Sequence, residues 1–272
     1  ARVWLDDMRL IKDAHELALM RRAAEISTRA HGIAMRATRP GRHEYEIEAE
    51  LLCAFRSGGA EAPAYNSIVA SGANACVLHY VFNDKPLNDG DLLLIDAAAE
   101  FRSYAADITR TFPVNGKFSA AQKDAYEVVL AAQTAAIAAV RPGNCWNDPH
   151  EAAVRVLTQG MVDLGLLTGD VDSLIESNAY NRFYMHRTGH WLGMDVHDAG
   201  EYKLGGEWRP LVPGMTLTVE PGLYIRPADD VPDAFHNIGI RIEDDVVVTD
   251  AGCEVLTSPP KTVADIEAWM RG

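Results

Sequence analysis

Two segments of the sequence share an unusual ending, an acidic residue at the end of an apolar strand. In both, a glycine is followed six residues later by the acid, which is Asp96 in the first segment and Glu220 in the second. Each is followed further along by another acid in a predicted strand, Asp107 and Glu243 respectively. Because a buried carboxylate needs a partner or a metal ion, the repeat predicts two related halves that place these acids on facing surfaces.

A single acid of this kind would be explained more simply, as the cap of a strand at the surface, where most acids lie. Four acids in two matched pairs make that explanation weaker and favour a site. Asp244 and Asp245, which follow Glu243, are interpreted differently, as solvated turn residues.

The rest of the sequence predicts helices alternating with groups of short strands. Apolar residues at helical spacing, or a capping signal, predict helices at 13–37, at 43–57, after Ser119 and after Asn147. Strands are predicted at 91–96, at 107–112 and, between turns, over about 190–257. This order indicates an α+β domain.

Composition excludes several functional classes. The chain has 272 residues, 48% of them hydrophobic, and no apolar run approaches the roughly 20 residues that span a bilayer. Its net charge of −14 repels phosphate backbones, so neither nucleic acid nor a membrane is an expected partner. The four cysteines are widely spaced and predict reduced thiols, so a cytoplasmic location is expected.

Three histidines, His186, His190 and His197, are concentrated in one short segment among glycines and apolar residues. A lone core histidine is usually structural, whereas three so close together favour a site. His190 and the four acids would form an oxygen-rich set whose charge balances two divalent ions, with hard ions such as Mn²⁺ preferred over tetrahedral zinc. Such a set predicts hydrolysis with water as the nucleophile. Most of the other histidines, at 15, 31, 43, 150 and 236, are assigned to the surface.

The segment 186–198, His-Arg-Thr-Gly-His-Trp-Leu-Gly-Met-Asp-Val-His-Asp, resembles the signature shared by aminopeptidases P and proline dipeptidases. Further matching segments cover most of the chain, at 78–80, 94–96, 107–114, 219–222 and 239–244. Trp191 and Asp195 look more like aminopeptidase P than proline dipeptidase. Both families are pita-bread metallopeptidases, so the resemblance implies two related halves with a curved antiparallel sheet flanked by helices.

The resemblance also implies roles for individual residues. The ligands of two divalent ions would be Asp96, Asp107, His190, Glu220 and Glu243. Of these, Asp107 and Glu243 would bridge both ions. The catalytic residues would be Glu220 again, with His79, His186, His197 and Arg241.

Within that catalytic set, Glu220 would accept and carry the proton, and His197 would steady the oxyanion together with one metal ion. His79 or His186 would contact the substrate around the scissile bond. Arg241 would orient the neighbouring carboxylates.

The implied activity is that of an Xaa-Pro aminopeptidase, a metallo-exopeptidase that releases the N-terminal residue from peptides with proline second. The attacking group would be a hydroxide that bridges the two ions. Two alternatives stay open. One is an Xaa-Pro dipeptidase, which has the same chemistry in a pocket closed to longer chains. The other is a non-catalytic binding module of this fold, against which the presence of all five ligands argues.

Two departures from the family's pattern affect these expectations. The family usually has glycine where this chain has Ala98, so a positive φ at that position would strain the backbone near Asp96. Members also usually carry a separate N-terminal domain, which contributes to oligomer contacts. Residues 1–272 are expected to form the catalytic domain without that upstream domain, and a homo-oligomer is expected from the resemblance.

Overall fold

The computed structural model describes residues 2–272. Its α-helices are α1 (Arg2–Leu10), α2 (Ala14–Ala37), α3 (Glu44–Gly58), α4 (Ala120–Ala139), α5 (Asp148–Asp163), α6 (Val171–Glu176) and α7 (Val263–Met270). Short 3₁₀ helices lie at Gly72–Cys76, Ala179–Arg182 and Asp233–Phe235. Within these residues, no helix combines the length and the apolar character needed to cross a bilayer.

The strands are short and antiparallel. They are β1 (Ala62–Pro63), β2 (Ile68–Ser71), β3 (Leu92–Asp96), β4 (Ala99–Phe101), β5 (Tyr104–Ala105), β6 (Thr109–Pro113), β7 (Lys203–Leu204), β8 (Glu207–Trp208), β9 (Thr216–Val219), β10 (Gly222–Ile225), β11 (Ile238–Arg241), β12 (Asp244–Thr249) and β13 (Gly252–Val255). The predicted mixture of helices and strands is therefore confirmed.

The long helices begin where the sequence signals predict. Asp13 caps α2 by accepting hydrogen bonds from the first-turn amides, and Glu16 completes a capping box. Ser119 and Gln122 do the same for α4, and a proline occupies the first turn of α5. Helices α2 and α4 pack against strands, and α2 buries a face that includes Met20, Ala24, Ser27 and Ala30.

The two predicted halves appear as two three-stranded ladders, β2–β3–β6 and β13–β12–β9. In the first ladder Asp96 lies opposite Thr109, and in the second Val219 lies opposite Asp244. The ladders are joined where the backbone N–H of Glu243 donates to the carbonyl of Thr109 at 3.0 Å. The ends of the two ladders that carry acids therefore meet at one place.

The environment of Asp107 and Glu243 differs slightly from the prediction, and that of Asp244 and Asp245 differs greatly. Asp107 and Glu243 lie just before β6 and β12 rather than inside a strand. Asp244 and Asp245 are not solvated turn residues, because they lie in β12 and are 0% and 1% exposed. Asp244 is neutralised by Arg110 at 2.6 Å and Lys261 at 2.8 Å.

The backbone around Ala98 is unstrained. Ala98 is not among the non-glycine residues with positive φ in the described part of the chain, and its side chain packs against alanines of α2. Two residues of α2 hold the segment in place: Ser27 accepts from the N–H of Ala99 at 2.9 Å, and the His31 ring lies 2.8 Å from the carbonyl of Ala97. His31 is fully buried, so it is an exception to the assignment of most of these histidines to the surface.

Candidate metal centre and its cleft

One cleft, with a volume of about 540 Å³, contains every residue for which the sequence predicted a role. These are His79, Asp96, Asp107, His186, His190, His197, Glu220, Arg241 and Glu243. They come from both ladders and from the irregular segments around His79 and His190. The fold thus brings together residues that are far apart in the sequence.

The centre of the cleft is a cluster of possible metal ligands. Asp107, His190 and Glu243 each offer a ligand atom, and these atoms all lie within 4.8 Å of one another. Nδ1 of His190 donates to the carbonyl of Trp191 at 3.0 Å, so in the neutral ring Nε2 carries the lone pair. Nε2 faces the acids, 3.3 Å from Asp107 and 3.6 Å from Glu220.

Asp96 is held tightly beside this cluster. Arg241 donates to Asp96 Oδ2 at 2.6 Å. The Tyr65 hydroxyl lies 2.7 Å from Asp96 Oδ1 and 2.5 Å from Asp107 Oδ1, so one phenolic oxygen touches both carboxylates. Arg241 also contacts the hydroxyl of Thr109, which itself donates to Glu243 at 2.6 Å.

Burial shapes the charge of the cluster. It raises the pKa of Asp107 and, with the charges of Asp107, Glu220 and Asp96, raises the pKa of Glu243 well above its usual range. Burial likewise raises the pKa of Glu220 to about 7. Burial lowers the pKa of His190, but the hydrogen bond to Asp107 and the charge of Glu220 outweigh burial and raise the pKa to about 9. The carboxylates therefore crowd one another and favour a shared cation.

His186 has both ring nitrogens engaged by the protein. Arg241 donates to the Tyr224 oxygen at 2.9 Å, so the Tyr224 O–H is left to donate to Nε2 of His186 at 2.8 Å. Nδ1 of His186 then donates to the carbonyl of Arg187 at 2.8 Å. Burial, with the charge of Arg241, lowers the pKa of His186 to about 3, so the ring is neutral.

His79 and His197 are more open to the cleft. Both are exposed, and the ring of His197 lies edge-on to that of His190, with centroids 4.2 Å apart. Burial and the charge of His190 lower the pKa of His197. These two imidazoles can meet a bound molecule without first breaking a hydrogen bond within the described chain.

Several residues of the site were not identified from the sequence. Tyr65 follows no motif, and its role appears only once β3 and β6 are paired. The rings of Trp146, Tyr202 and Trp208 form an aromatic wall on the cleft, with the first two 4.5 Å apart. They come from three separate segments, so no local pattern marks them.

Comparison with known proteins decides the family. The model of metallopeptidase family M24 matches residues 18–250. The chain belongs to metallopeptidase family M24. It is 54% identical to the Xaa-Pro aminopeptidase of Haemophilus influenzae, over 99% of this chain and 63% of that protein. It is also 40% identical to the human Xaa-Pro dipeptidase, over 98% of this chain and 61% of that protein.

The solved structure of aminopeptidase P from Pseudomonas aeruginosa superposes with a TM-score of 0.98 at 61% identity. The match covers 98% of this chain and 61% of that one. The predicted pita-bread fold is thereby confirmed. The chain spans about three fifths of the length of the relatives that it matches. Membership of this family, together with the Asp–His–Glu cluster, indicates a site for a divalent metal ion.

Proposed function

We propose that the protein is an Xaa-Pro aminopeptidase that releases the N-terminal residue from peptides with proline at the second position. The observation that carries this proposal is the convergence of five possible ligands, three further histidines and Arg241 on one cleft. The relatives that this chain matches include the Xaa-Pro aminopeptidase of Haemophilus influenzae, of which this chain covers 63%.

The donor set fits two divalent ions, and we propose Mn²⁺. Three acids whose pKa values are raised by burial crowd one another, which is the arrangement that a cation relieves. The ligands would be Asp96, Asp107, His190, Glu220 and Glu243, which offer oxygen atoms and one imidazole. When bound, such ions supply a Lewis acid that polarises the scissile carbonyl and lowers the pKa of water.

The chain's own residues would move the protons and stabilise charge. Glu220 would take the proton of the attacking water and deliver it to the proline nitrogen, which carries no N–H of its own. His197 would donate a hydrogen bond to the oxyanion. His186 would hold the Tyr224–Arg241 pair, because both of its nitrogens are already engaged. His79 is then the imidazole left to contact the substrate.

The aromatic wall would receive the apolar parts of the peptide. Trp146 and Tyr202 offer ring faces, and Trp208 lies under the cationic groups of Arg187 and Lys203 at 5.1 and 4.2 Å. Aromatic ring faces suit the apolar ring of proline, which has no amide hydrogen to satisfy. A cytoplasmic location and a homo-oligomer, both expected from the sequence, stay predictions.

The alternative function is that of a proline dipeptidase, which the similarity to the human Xaa-Pro dipeptidase supports. We expect Xaa-Pro-Yaa tripeptides to be cleaved with a higher kcat/KM than Xaa-Pro dipeptides, because the aromatic wall offers contact surface for a residue beyond proline. The measurement is product release from matched tripeptides and dipeptides, with metal content determined on the same sample. Cleavage of dipeptides alone would favour the dipeptidase.

A further inference from the structure

Glu44, in the first turn of α3, is a fully buried carboxylate that forms no ion pair within residues 2–272. Its charge is met instead by hydrogen-bond donors. Oε1 accepts from the amide and the hydroxyl of Ser71 at 2.8 and 2.7 Å, and from Asn74 at 3.1 Å. Oε2 accepts from the hydroxyl of Tyr80 at 2.7 Å and from the amide of Lys85 at 3.0 Å.

All five donors lie in one segment, residues 71–85, which otherwise has little regular structure. After the 3₁₀ helix Gly72–Cys76 it contains no named helix or strand. A buried carboxylate with five donors is expensive to disturb, because removing an acceptor leaves buried donors unsatisfied. Glu44 thus anchors the backbone of this segment.

His79 stands in the middle of that segment, one residue before Tyr80. Its side chain lines the cleft and makes no hydrogen bond to any residue that the structure describes. The position of the imidazole is therefore set by the backbone that carries it. That backbone is held on either side of His79 by donors that converge on Glu44.

We propose that Glu44 is a positioning residue, which fixes the place of His79 in the cleft although it is not itself part of the cleft lining. The inference rests on the proposed function, in which His79 contacts the substrate. A glutamine at position 44 would keep the volume of the side chain. Its NH₂ group would, however, face donors that now point at a carboxylate oxygen.

The test is a double-mutant cycle between Glu44→Gln and His79→Ala, with the full chain and its metal loaded. We expect Glu44→Gln to lower kcat for an Xaa-Pro-Yaa tripeptide about 10- to 100-fold, the scale known for supporting residues of metal sites, with metal content unchanged. In the His79→Ala background the same change should alter kcat less than about twofold. Equal losses in both backgrounds would overturn the proposal.

Glu48→Gln is the matched control, since Glu48 lies one turn further along α3 and is only partly buried, with no side-chain hydrogen bond to the described residues. We expect its kcat to equal that of the wild type. Tyr80→Phe removes one donor to Glu44 and disturbs the structure less. If Glu44→Gln does not fold, Tyr80→Phe takes its place in the double-mutant cycle with His79→Ala. Its loss of kcat should be smaller and should likewise vanish in the His79→Ala background.

A second readout does not depend on activity. The imidazole ¹⁵N signals of His79, assigned by their loss in His79→Ala, should shift in Glu44→Gln and Tyr80→Phe, while those of His236 stay in place. Unchanged His79 signals in both variants would overturn the positioning role. Should the wild type cleave no Xaa-Pro peptide, the proposed function fails, and the spectra still decide whether Glu44 positions His79.

Discussion

The matching acids of the two halves are held very differently. Asp96, from the first half, is fixed by Arg241 at 2.6 Å and touched by Tyr65 at 2.7 Å. Glu220, at the corresponding place in the second half, has looser neighbours, with the Thr218 hydroxyl at 3.4 Å and His190 at 3.6 Å. One carboxylate is held by short hydrogen bonds, whereas the other has only longer contacts within the described chain.

This difference corresponds to the two tasks that the site has to perform. A pure ligand gains from rigidity, because a preorganised donor loses no freedom when an ion binds. A group that takes a proton from one atom and delivers it to another must reach both. We propose that Asp96 suits the first task and Glu220 the second, although the sequence presents them as equivalent ends of a repeat.

The largest effect is expected where the halves should behave alike, at the inner acids Asp107 and Glu243. Replacing either by alanine should remove metal and lower turnover by about 10³-fold or more, because both are proposed to bridge the ions. Metal analysis and kcat on each purified variant check this. Asp124→Ala, on the exposed face of α4, is the control. If either the Asp107 or the Glu243 variant retained both ions, the two acids would not play equivalent parts in holding the metal.

His197 should have a smaller effect and a different signature. Its replacement by alanine should leave two ions bound and slow turnover by roughly 10²–10³, the usual cost of one oxyanion donor. Metal analysis, thermal unfolding and kcat are measured on one preparation, beside His190→Ala. If His197 only packs against His190, stability will fall while the rate per folded molecule is kept. Fewer ions in His197→Ala than in His190→Ala would reverse the two assigned roles.

The sequence predicted the acids, the main helices and the meeting of the two halves, because these rest on short patterns. It could not predict the environment of Asp244, since three adjacent acids usually indicate solvent and the neutralising Arg110 and Lys261 lie far away in the chain. Glu44 was missed for a similar reason. A glutamate in the first turn of a helix is ordinarily an exposed residue that favours the helix dipole. Only the folding of 71–85 over α3 buries it.

A smaller effect is expected in the pH dependence of stability, to which Glu220 contributes. Without metal, Glu220 keeps its proton up to a pKa of about 7, so stability falls as pH rises from the unfolded value of 4.5 through 7. The raised pKa of His190, about 9, has the same sign, because its contribution is lost as pH rises from 6.5 through 9. The Tm of the metal-free protein should therefore fall between about pH 7 and 9, above the range in which histidines with a lowered pKa, such as His186, have the opposite effect.

The control for this prediction is Glu220→Gln, which removes one of the titrating groups. The metal-free Tm of the wild type minus that of Glu220→Gln should fall between about pH 4.5 and 7, because contributions that both proteins share, such as that of His186, cancel in the difference. Saturating metal should also flatten the profile of the wild type, since bound ligands are already deprotonated. A difference that rises over this range would contradict the direction assigned to Glu220.

The most direct test adds Mn²⁺ stepwise to the metal-free protein and follows bound metal and Xaa-Pro-Yaa cleavage on the same sample. We expect two ions per chain at saturation and no turnover in the presence of chelator. Cleavage should remove one residue from the N-terminus and require proline second. Full activity in a preparation shown to contain no metal would contradict the two-ion peptidase.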